Sequence, residues 1–271
     1  MTETWGFLDS GLHDAATNMA LDEALLRWHS QGRIPPTLRL YGWSRPSLSI
    51  GHFQKMEYID FDGLQKHGCQ LVRRLTGGSA VLHDNELTYS IVISENHHAI
   101  PTSITEAYHV LSKGVLQGYR NLGIAACYAT PGRERDKNIT AICFEKTAYY
   151  EMVFEGKKIS GNAQTRKQGT LLQHGSIPMS INAHMLFDLF AFPSEAVRQK
   201  KKSQFIQKAI TMDQIKLKKH SYGEVKQAFY TGFQHGLDIS LRPIVLTNSQ
   251  WEEVHSLAKS NYLLGTLMDA K

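Results

Sequence analysis

Residues 149–177, YYEMVFEGKKISGNAQTRKQGTLLQHGSI, decide the fold. The stretch contains three short segments rich in β-branched and aromatic residues, 149–154, 157–164 and 170–177, which predict three strands. The pair Glu155-Gly156 and the triplet Lys167-Gln168-Gly169 separate them, and both fit hairpin turns. The stretch therefore predicts an antiparallel meander.

Outside this stretch, strands and helices alternate without regular βαβ crossovers. Short alternating segments predict further strands at 37–43, 47–50, 70–74, 79–82 and 86–93. Periodic apolar residues predict helices at 18–26, 104–122, 221–235 and 249–262. The second of these helices follows a Ser103-x-x-Glu106 capping box, and the last begins with a similar one at Ser249. We expect an α+β fold with a mixed or antiparallel sheet and flanking helices.

Composition excludes several classes of protein. The chain has 271 residues, of which 42% are hydrophobic, and a net charge of +5, which indicates a globular protein. Three cysteines without a C-x-x-C pair make a disulfide framework or zinc site improbable. The N-terminus lacks the features of a secretory signal, and the apolar run 185–192 is too short for a membrane span. We expect a cytoplasmic protein with no bound metal.

The segment Arg73-Arg-Leu-Thr-Gly-Gly-Ser-Ala-Val-Leu-His-Asp84 is the first that suggests chemistry. Gly77 and Gly78 allow a close backbone approach to a ligand, and Arg73 or Arg74 offers a planar set of N–H donors. An ordinary Gly-Gly turn with surface arginines is the alternative interpretation. Neither a P-loop nor a G-x-G-x-x-G motif occurs, which lowers the expectation of ATP or NAD binding.

The meander itself carries the second set of candidate residues. Strand alternation places Lys158, Ser160 and Asn162 on one face, opposite Lys157. Gly161 weakens a strand unless a ligand must approach its surface. The alternative interpretation of Lys157 and Lys158 is a solvated turn. His174, which precedes Gly175, is likewise typical of a structural histidine.

Residues 198–219 contain eight Lys or Arg and a single acid, Asp213. Such a run usually forms a solvated surface, but it could also bind an acidic protein.

Four motifs together resemble the biotin/lipoate protein ligase superfamily. They are Asn18-Met-Ala-Leu-Asp-Glu-Ala24, Arg73-Arg-x-Thr-Gly-Gly-x-Ala-Val-x-His-Asp84, Gly156-Lys-Lys-Ile-Ser-Gly-x-Ala-Gln164 and Leu172-Gln-His-Gly-Ser176. The resemblance implies a biotin/lipoate A/B protein ligase-like catalytic domain over residues 1–248, with its core at about 32–248, and a C-terminal helix and tail at 249–271. Asn162 departs from the family, where Ser is more usual, which questions the fine shape of the pocket.

Within the superfamily, the sequence is most similar to octanoyltransferases with a cysteine ahead of the Gly-Lys-Lys turn. The resemblance implies that Cys143 carries the octanoyl group as a thioester and that Lys158 is the active-site lysine. It implies substrate binding by Arg73, Arg74, Thr76, Gly77, Gly78, His83, Ser160, Gly161, His174 and Gly175. A nearby ammonium makes this chemistry sensible, because it raises the thiolate fraction of a cysteine.

Two other cysteines compete with Cys143. Cys127 is predicted to be a buried strand residue, where a thiol behaves as a small apolar group. Cys69, ahead of a strand, is predicted to be structural.

The implied donor is octanoyl-acyl carrier protein, and the implied acceptor is a lipoyl-domain protein such as glycine cleavage H protein. No cofactor, nucleic acid or membrane is expected, and the protein is expected to be a monomer. An ATP-dependent lipoate ligase, an amidotransferase between lipoyl domains and a non-catalytic acyl- or lipoyl-domain-binding protein are the alternatives. A ligase commonly carries a downstream accessory domain, and only about 25 residues follow the match, which favours the transferase. Thr76 and His83 favour the transferase over the amidotransferase.

Overall fold

The structure, a computed structural model, describes residues 2–129, 150–215 and 219–263. Its strands are β1 Glu3–His13, β2 Thr37–Trp43, β3 Ser47–Ile50, β4 Gln70–Arg73, β5 Val81–His83, β6 Glu86–Ser94, β7 Cys127–Tyr128, β8 Met152–Phe154, β9 Lys157–Lys158, β10 Gly161–Lys167, β11 Thr170–Pro178 and β12 Ile239–Pro243. Its α-helices are α1 Ala15–Ser30, α2 Phe61–Lys66, α3 Ile104–Asn121, α4 Ala183–Asp188, α5 Glu195–Lys208, α6 Met212–Ile215, α7 Tyr222–Leu237 and α8 Asn248–Leu257.

Within the described residues, the strands form one six-stranded sheet and two three-stranded sheets. The large sheet has the order β10-β11-β6-β2-β1-β12. It is mixed, because β1 runs parallel to both of its neighbours whereas β2, β6, β11 and β10 pair antiparallel. The small sheets have the orders β4-β3-β5 and β7-β8-β9. The predicted α+β fold with a mixed sheet and flanking helices is therefore confirmed.

The large sheet buries both of its faces under helices. Along β6, Tyr89 and Ile91 belong to the core formed with α3 and α7, whereas Val92 belongs to the core formed with α1. This alternation follows from the two-residue period of a strand. The sheet is thus the middle layer of the molecule. No helix among the described residues has both the length and the hydropathy that crossing a lipid bilayer requires.

Local sequence signals place the helix starts. The Asp14 side chain accepts a 2.7 Å hydrogen bond from the Thr17 N–H at the start of α1. Ser221 and Glu224 form a reciprocal capping box at the start of α7. These bonds satisfy N–H groups that have no partner within the helix.

The predicted single strand 157–164 is wrong. The backbone leaves the β7-β8-β9 sheet after Lys158 and joins the large sheet only at Gly161. Between them, Ile159 is fully buried and its N–H donates to the Met152 carbonyl at 3.0 Å. Because the chain crosses from one sheet to another here, strand alternation cannot relate the direction of Lys158 to that of Asn162.

The expected start of the last helix needs correction. The last helix begins at Asn248 rather than Ser249, and its capping box is formed by Thr247 and Gln250. Its final turn, Ala258–Tyr262, is π-helical. The sequence also did not predict β1, whose register shifts between Asp9 and Gly11. The domain boundary at 248/249 falls in the first turn of α8 and stays a prediction.

Glycines allow α3 and α7 to pack closely, so adding a methyl group at one of them should destabilise the fold. A Cβ at Gly114 would lie 2.2 Å from the ring of Phe233. We expect Gly114→Ala to lower the free energy of unfolding by about 1–3 kcal/mol, because the helices must separate or the ring must move. Gly223→Ala in α7 is the control, since no atom lies within 4 Å of the added methyl group. Urea denaturation of both variants checks this, and equal stability of the two would contradict it.

Candidate active site

A pocket opens where the large sheet meets the β4-β3-β5 sheet. Six of the predicted site residues line it: Arg74, Gly78, His83, Gly161, His174 and Gly175. The other lining residues are Met19, Tyr41, Ser49, Val81, Thr88, Asn162, Ala163 and Ser176. Ile159 and Leu172, which flank lining residues in the sequence, lie in the core and do not line the pocket. The pocket thus gathers residues that are far apart in the sequence.

Arg74 holds the Gly-Gly segment in place. Its guanidinium donates to the carbonyls of Ser49 at 3.0 Å, Gly77 at 2.7 Å and Ser79 at 2.9 Å. Its Nε also donates to the Thr76 hydroxyl at 3.1 Å. These N–H groups therefore shape the wall of the pocket.

Arg73 stabilises the adjacent loop. Its Nη1 nitrogen donates to the carbonyls of Gly51, His52 and Gln54 at 2.9, 3.0 and 2.7 Å. That loop packs directly on the Gly-Gly segment, because a Cβ at Gly51 would lie 1.9 Å from the Gly78 carbonyl oxygen. Arg73 does not line the pocket.

A buried relay connects His174 to the core. Its Nδ1 lies 3.0 Å from the Asp22 carboxylate, and its Nε2 lies 2.7 Å from the Thr76 hydroxyl. Burial lowers the pKa of His174, although the Asp22 bond acts in the opposite direction. Burial also tends to raise the pKa of Asp22, but Arg39 and His174 outweigh it and the pKa is lowered. The site therefore favours a neutral imidazole beside an ionised carboxylate.

A second relay supports the opposite wall. His83 lies 2.7 Å from both the Ser49 hydroxyl and the Glu86 carboxylate. Its ring stacks on Trp43 with centroids 4.0 Å apart. His83 is thus fixed in position rather than free to rotate.

Asn162 closes the pocket from β10. Its amide donates to the Tyr108 hydroxyl and its carbonyl accepts from the Tyr89 hydroxyl, both at 3.0 Å. Gly175 lies against it, and a Cβ at Gly175 would come within 2.0 Å of the Asn162 carbonyl oxygen. Asn162 and Gly175 therefore fit each other in a space that admits no additional side chain.

Lys158 does not line this pocket, although it precedes the lining residue Gly161 by only three positions in the sequence. It is only 3% exposed and forms an ion pair with Glu151, a residue that the sequence analysis did not identify. The pair joins the two sides of the β8–β9 hairpin. The only feature of the sequence that could have indicated this pairing is that the two residues have opposite charges and lie seven positions apart, on either side of the predicted turn. The second carboxylate oxygen of Glu151 is buried and has no hydrogen-bond partner among the described residues. Ser160, between Lys158 and Gly161, is fully buried.

The three cysteines have different environments. Cys143 lies outside the described residues. Cys69 is buried, and burial together with the nearby Asp84 raises the pKa of its thiol to about 12, which makes it a poor nucleophile. The prediction that Cys127 is buried is wrong, because it is exposed on β7, an outer strand of its small sheet among the described residues.

Cys127 also shares a sheet with the lysine. It pairs with Val153, which pairs in turn with Lys158, so the three residues lie in one row across adjacent strands. Two strand spacings separate Cys127 from Lys158 by about 10 Å between backbones. Burial therefore does not argue against Cys127 as a nucleophile. Its distance from Lys158 does argue against it.

Among the described residues, the one group able to hold a metal ion is Glu3, His97 and His98. These residues do not line the pocket.

Comparisons with known proteins show which family the chain resembles. The chain matches the lipoyl protein ligase A/B catalytic domain family over residues 14–234. Octanoyltransferase LipM of Oceanobacillus iheyensis is 56% identical over 263 residues, 97% of this chain and 96% of the relative. Octanoyltransferase LipM of Halalkalibacterium halodurans is 50% identical over 266 residues, 96% of each chain.

A solved structure shares the fold. It shows a bi-partite lipoate protein ligase and its E2 lipoyl domain from Thermoplasma acidophilum, with a TM-score of 0.77 and 25% identity, covering 95% of this chain and 93% of that one. This likeness confirms the predicted lipoate ligase fold. The chain therefore belongs to the lipoyl protein ligase A/B catalytic domain family and, within it, to the LipM octanoyltransferases.

Proposed function

We propose that this protein transfers an octanoyl group from octanoyl-acyl carrier protein to a lysine of a lipoyl domain, such as that of glycine cleavage H protein. We place the reaction in lipoate biosynthesis in the cytoplasm, with the protein acting as a monomer. The observation that carries the proposal is the 56% identity, over nearly the whole chain, to an octanoyltransferase.

The pocket supports an acyl substrate. Met19, Tyr41 and Val81 contribute apolar surface to its lining, beside the fixed walls at Arg74 and His174. An acyl chain gains free energy from leaving water for such a surface. We therefore place the octanoyl chain in this pocket, with its carbonyl directed toward the Lys158 end.

The first proposed step loads the enzyme. The Cys143 thiolate attacks the carbonyl carbon of the carrier thioester, the new C–S bond forms, and the bond to the carrier sulfur breaks. The departing carrier thiolate then takes up a proton. Lys158 supplies the positive charge that favours the attacking thiolate and stabilises the developing oxyanion. Glu151 holds the Lys158 ammonium in place for this role.

The second step transfers the group to the acceptor. The neutral amine of the lipoyl-domain lysine attacks the acyl carbon, an amide C–N bond forms, and the Cys143 thiolate leaves. The amine loses one proton in this step. Each step exchanges one acyl bond for another, so the transfer needs no ATP.

An ATP-dependent lipoate ligase is the second candidate, because the solved neighbour from Thermoplasma acidophilum is a lipoate protein ligase. A ligase would use free octanoate or lipoate with ATP and would tolerate loss of Cys143. The two candidates therefore differ in donor and in the need for a thiol.

Intact-mass measurement tests the nucleophile. After incubation with octanoyl-acyl carrier protein, we expect one octanoyl adduct on the wild type and on Cys127→Ala, and none on Cys143→Ala, because only the thioester-forming sulfur is required. An adduct that survives Cys143→Ala but not Cys127→Ala would move the reaction to β7. No adduct on the wild type, with activity dependent on ATP and free acid, would favour the ligase.

A substitution at Glu151 tests the ion pair. We expect Glu151→Gln to reduce kcat/KM about 10²-fold, because Lys158 loses the group that orients it. The double variant Glu151→Gln/Lys158→Ala should have nearly the same kcat/KM as Lys158→Ala alone, because Glu151 acts only through Lys158. Steady-state kinetics and circular dichroism check activity and folding. Glu155→Gln, an exposed acid in the same hairpin, is the control; equal loss in both variants would contradict a specific role for Glu151.

A further inference from the structure

A surface loop next to the pocket exposes an aromatic ring to solvent. Residues 51–54, which we call the rim loop, directly follow β3. The Phe53 side chain is 87% exposed and packs edge-on against the His52 ring, with the two centroids 4.7 Å apart. Tyr58 and Phe61, further along the same segment, are also exposed. Exposed apolar side chains are therefore concentrated in this segment, which is typical of an interaction site.

Hydrogen bonds hold the rim loop in place. Arg73 donates to three of its backbone carbonyls, and the His52 N–H donates to the Thr76 carbonyl at 2.9 Å. The backbone on both sides of Phe53 is thus tied to the strand and segment beneath it. A side chain that is presented in this way loses little conformational entropy when a partner binds.

The rim loop borders the opening of the pocket. Among the described residues that line the pocket, only Gly78 is exposed, so the pocket meets solvent there. Gly51 packs against this residue, since a Cβ at Gly51 would lie 1.9 Å from the Gly78 carbonyl oxygen. The exposed ring of Phe53 is therefore carried by a loop that contacts the edge of the opening.

We propose that Phe53 anchors the lipoyl-domain acceptor beside the pocket opening, by packing against an apolar side chain close to the acceptor's target lysine. This proposal rests on the proposed function above. A few aromatic residues that become buried typically supply most of the binding energy at a protein interface. A ring that is exposed and held in position before binding suits this role.

Distance places Phe53 inside the area that the acceptor must cover. A protein interface of ordinary size buries about 800 Å² on each partner, which corresponds to a disc with a radius of about 16 Å. Phe53 follows Gly51 by two residues, so at most about 7 Å separates their Cα atoms. Gly51 itself lies against Gly78 at the opening. A partner centred on the opening therefore covers Phe53.

Reach distinguishes the acceptor from the donor. In the proposed reaction, the acceptor must bring a lysine side chain, only four methylene groups long, to the acyl carbon in the pocket. Its own surface therefore has to lie over the opening. A carrier presents its acyl group on a long flexible phosphopantetheine arm and can deliver it from a greater distance. Contact with the rim loop is thus required of the acceptor and not of the donor.

Half-reaction kinetics test the proposal. The enzyme is loaded with octanoyl-carrier protein and isolated, and intact mass then follows transfer of the octanoyl group to the lipoyl domain. We expect Phe53→Ala to lower the second-order rate constant of this transfer at least about tenfold, because an aromatic anchor is removed. Loading from the carrier, and removal of the octanoyl group by hydroxylamine, should stay within about twofold of wild type, because neither reaction involves the lipoyl domain.

A conservative variant and a matched control isolate the ring. Phe53→Tyr keeps the aromatic face and should transfer within about threefold of wild type. Val245→Ala also removes an apolar side chain, one that is 89% exposed, but β12, which precedes it, contributes no residue to the described pocket lining. Its rate should stay within about twofold of wild type. Circular dichroism should show an unchanged fold in all three variants, since removing an exposed side chain leaves no cavity.

The remaining outcomes separate two kinds of failure. An unchanged transfer rate in Phe53→Ala, or an equal loss in Val245→Ala, would overturn the docking assignment alone. Slower loading would assign the ring to the donor, and slower removal by hydroxylamine would assign it to the shape of the pocket, and either result would overturn the assignment. If the wild type neither forms the octanoyl-enzyme nor octanoylates the lipoyl domain from the carrier, the proposed function itself fails.

Discussion

The buried ion pair between Arg39 and Asp22 is the interaction on which the rest of the structure depends. Arg39 is fully buried and donates to Asp22 at 2.7 Å, while its guanidinium lies 3.7 Å from the centre of the Tyr41 ring. Removing such charges from water is costly, so both need further partners. Asp22 also accepts from Ser90 and Tyr41 at 2.7 and 3.1 Å. One carboxylate thereby ties α1 to β2 and β6, and loss of one partner of such a pair typically costs about 3–5 kcal/mol.

The same network extends from the core to the pocket wall. Asp22 contacts His174, His174 contacts Thr76, and Thr76 accepts from Arg74. Arg74 then holds the carbonyls of the Gly-Gly segment. A glycine-rich segment has little conformational preference of its own, so its shape has to come from these bonds. The shape of the pocket wall therefore depends on this buried polar network.

The crossing of the chain between two sheets separates two tasks. Residues from Gly161 onward belong to the large sheet and line the pocket, whereas Lys158 belongs to a small sheet and is held by Glu151. The end of α5 is attached to that small sheet through Ala209. In the proposed reaction, acyl binding and charge stabilisation thus fall to two different sheets, joined by the segment from Lys158 to Gly161.

The sequence could predict features that depend on near neighbours in the chain. The helix α3 with its Ser103 cap and the turns at Glu155-Gly156 and Gln168-Gly169 follow from periodicity and backbone preference. Helix α5 was not predicted, because only Lys202 and Phe205 of its 14 residues are buried and no apolar stripe marks it. The strand β1 was likewise missed, since its parallel partners are distant in the sequence.

By itself, the sequence determined the motifs, the α+β class and the family, because these follow from patterns of residues that are near neighbours in the chain. Only the tertiary structure decided that Glu151 pairs with Lys158, that Cys127 is exposed, and that Arg73 and Arg74 bind backbone carbonyls. It also decided that the strand through Lys158 ends before Gly161. The physical reason is that burial and the choice of a polar partner depend on which distant segments pack together, and no local pattern contains that information.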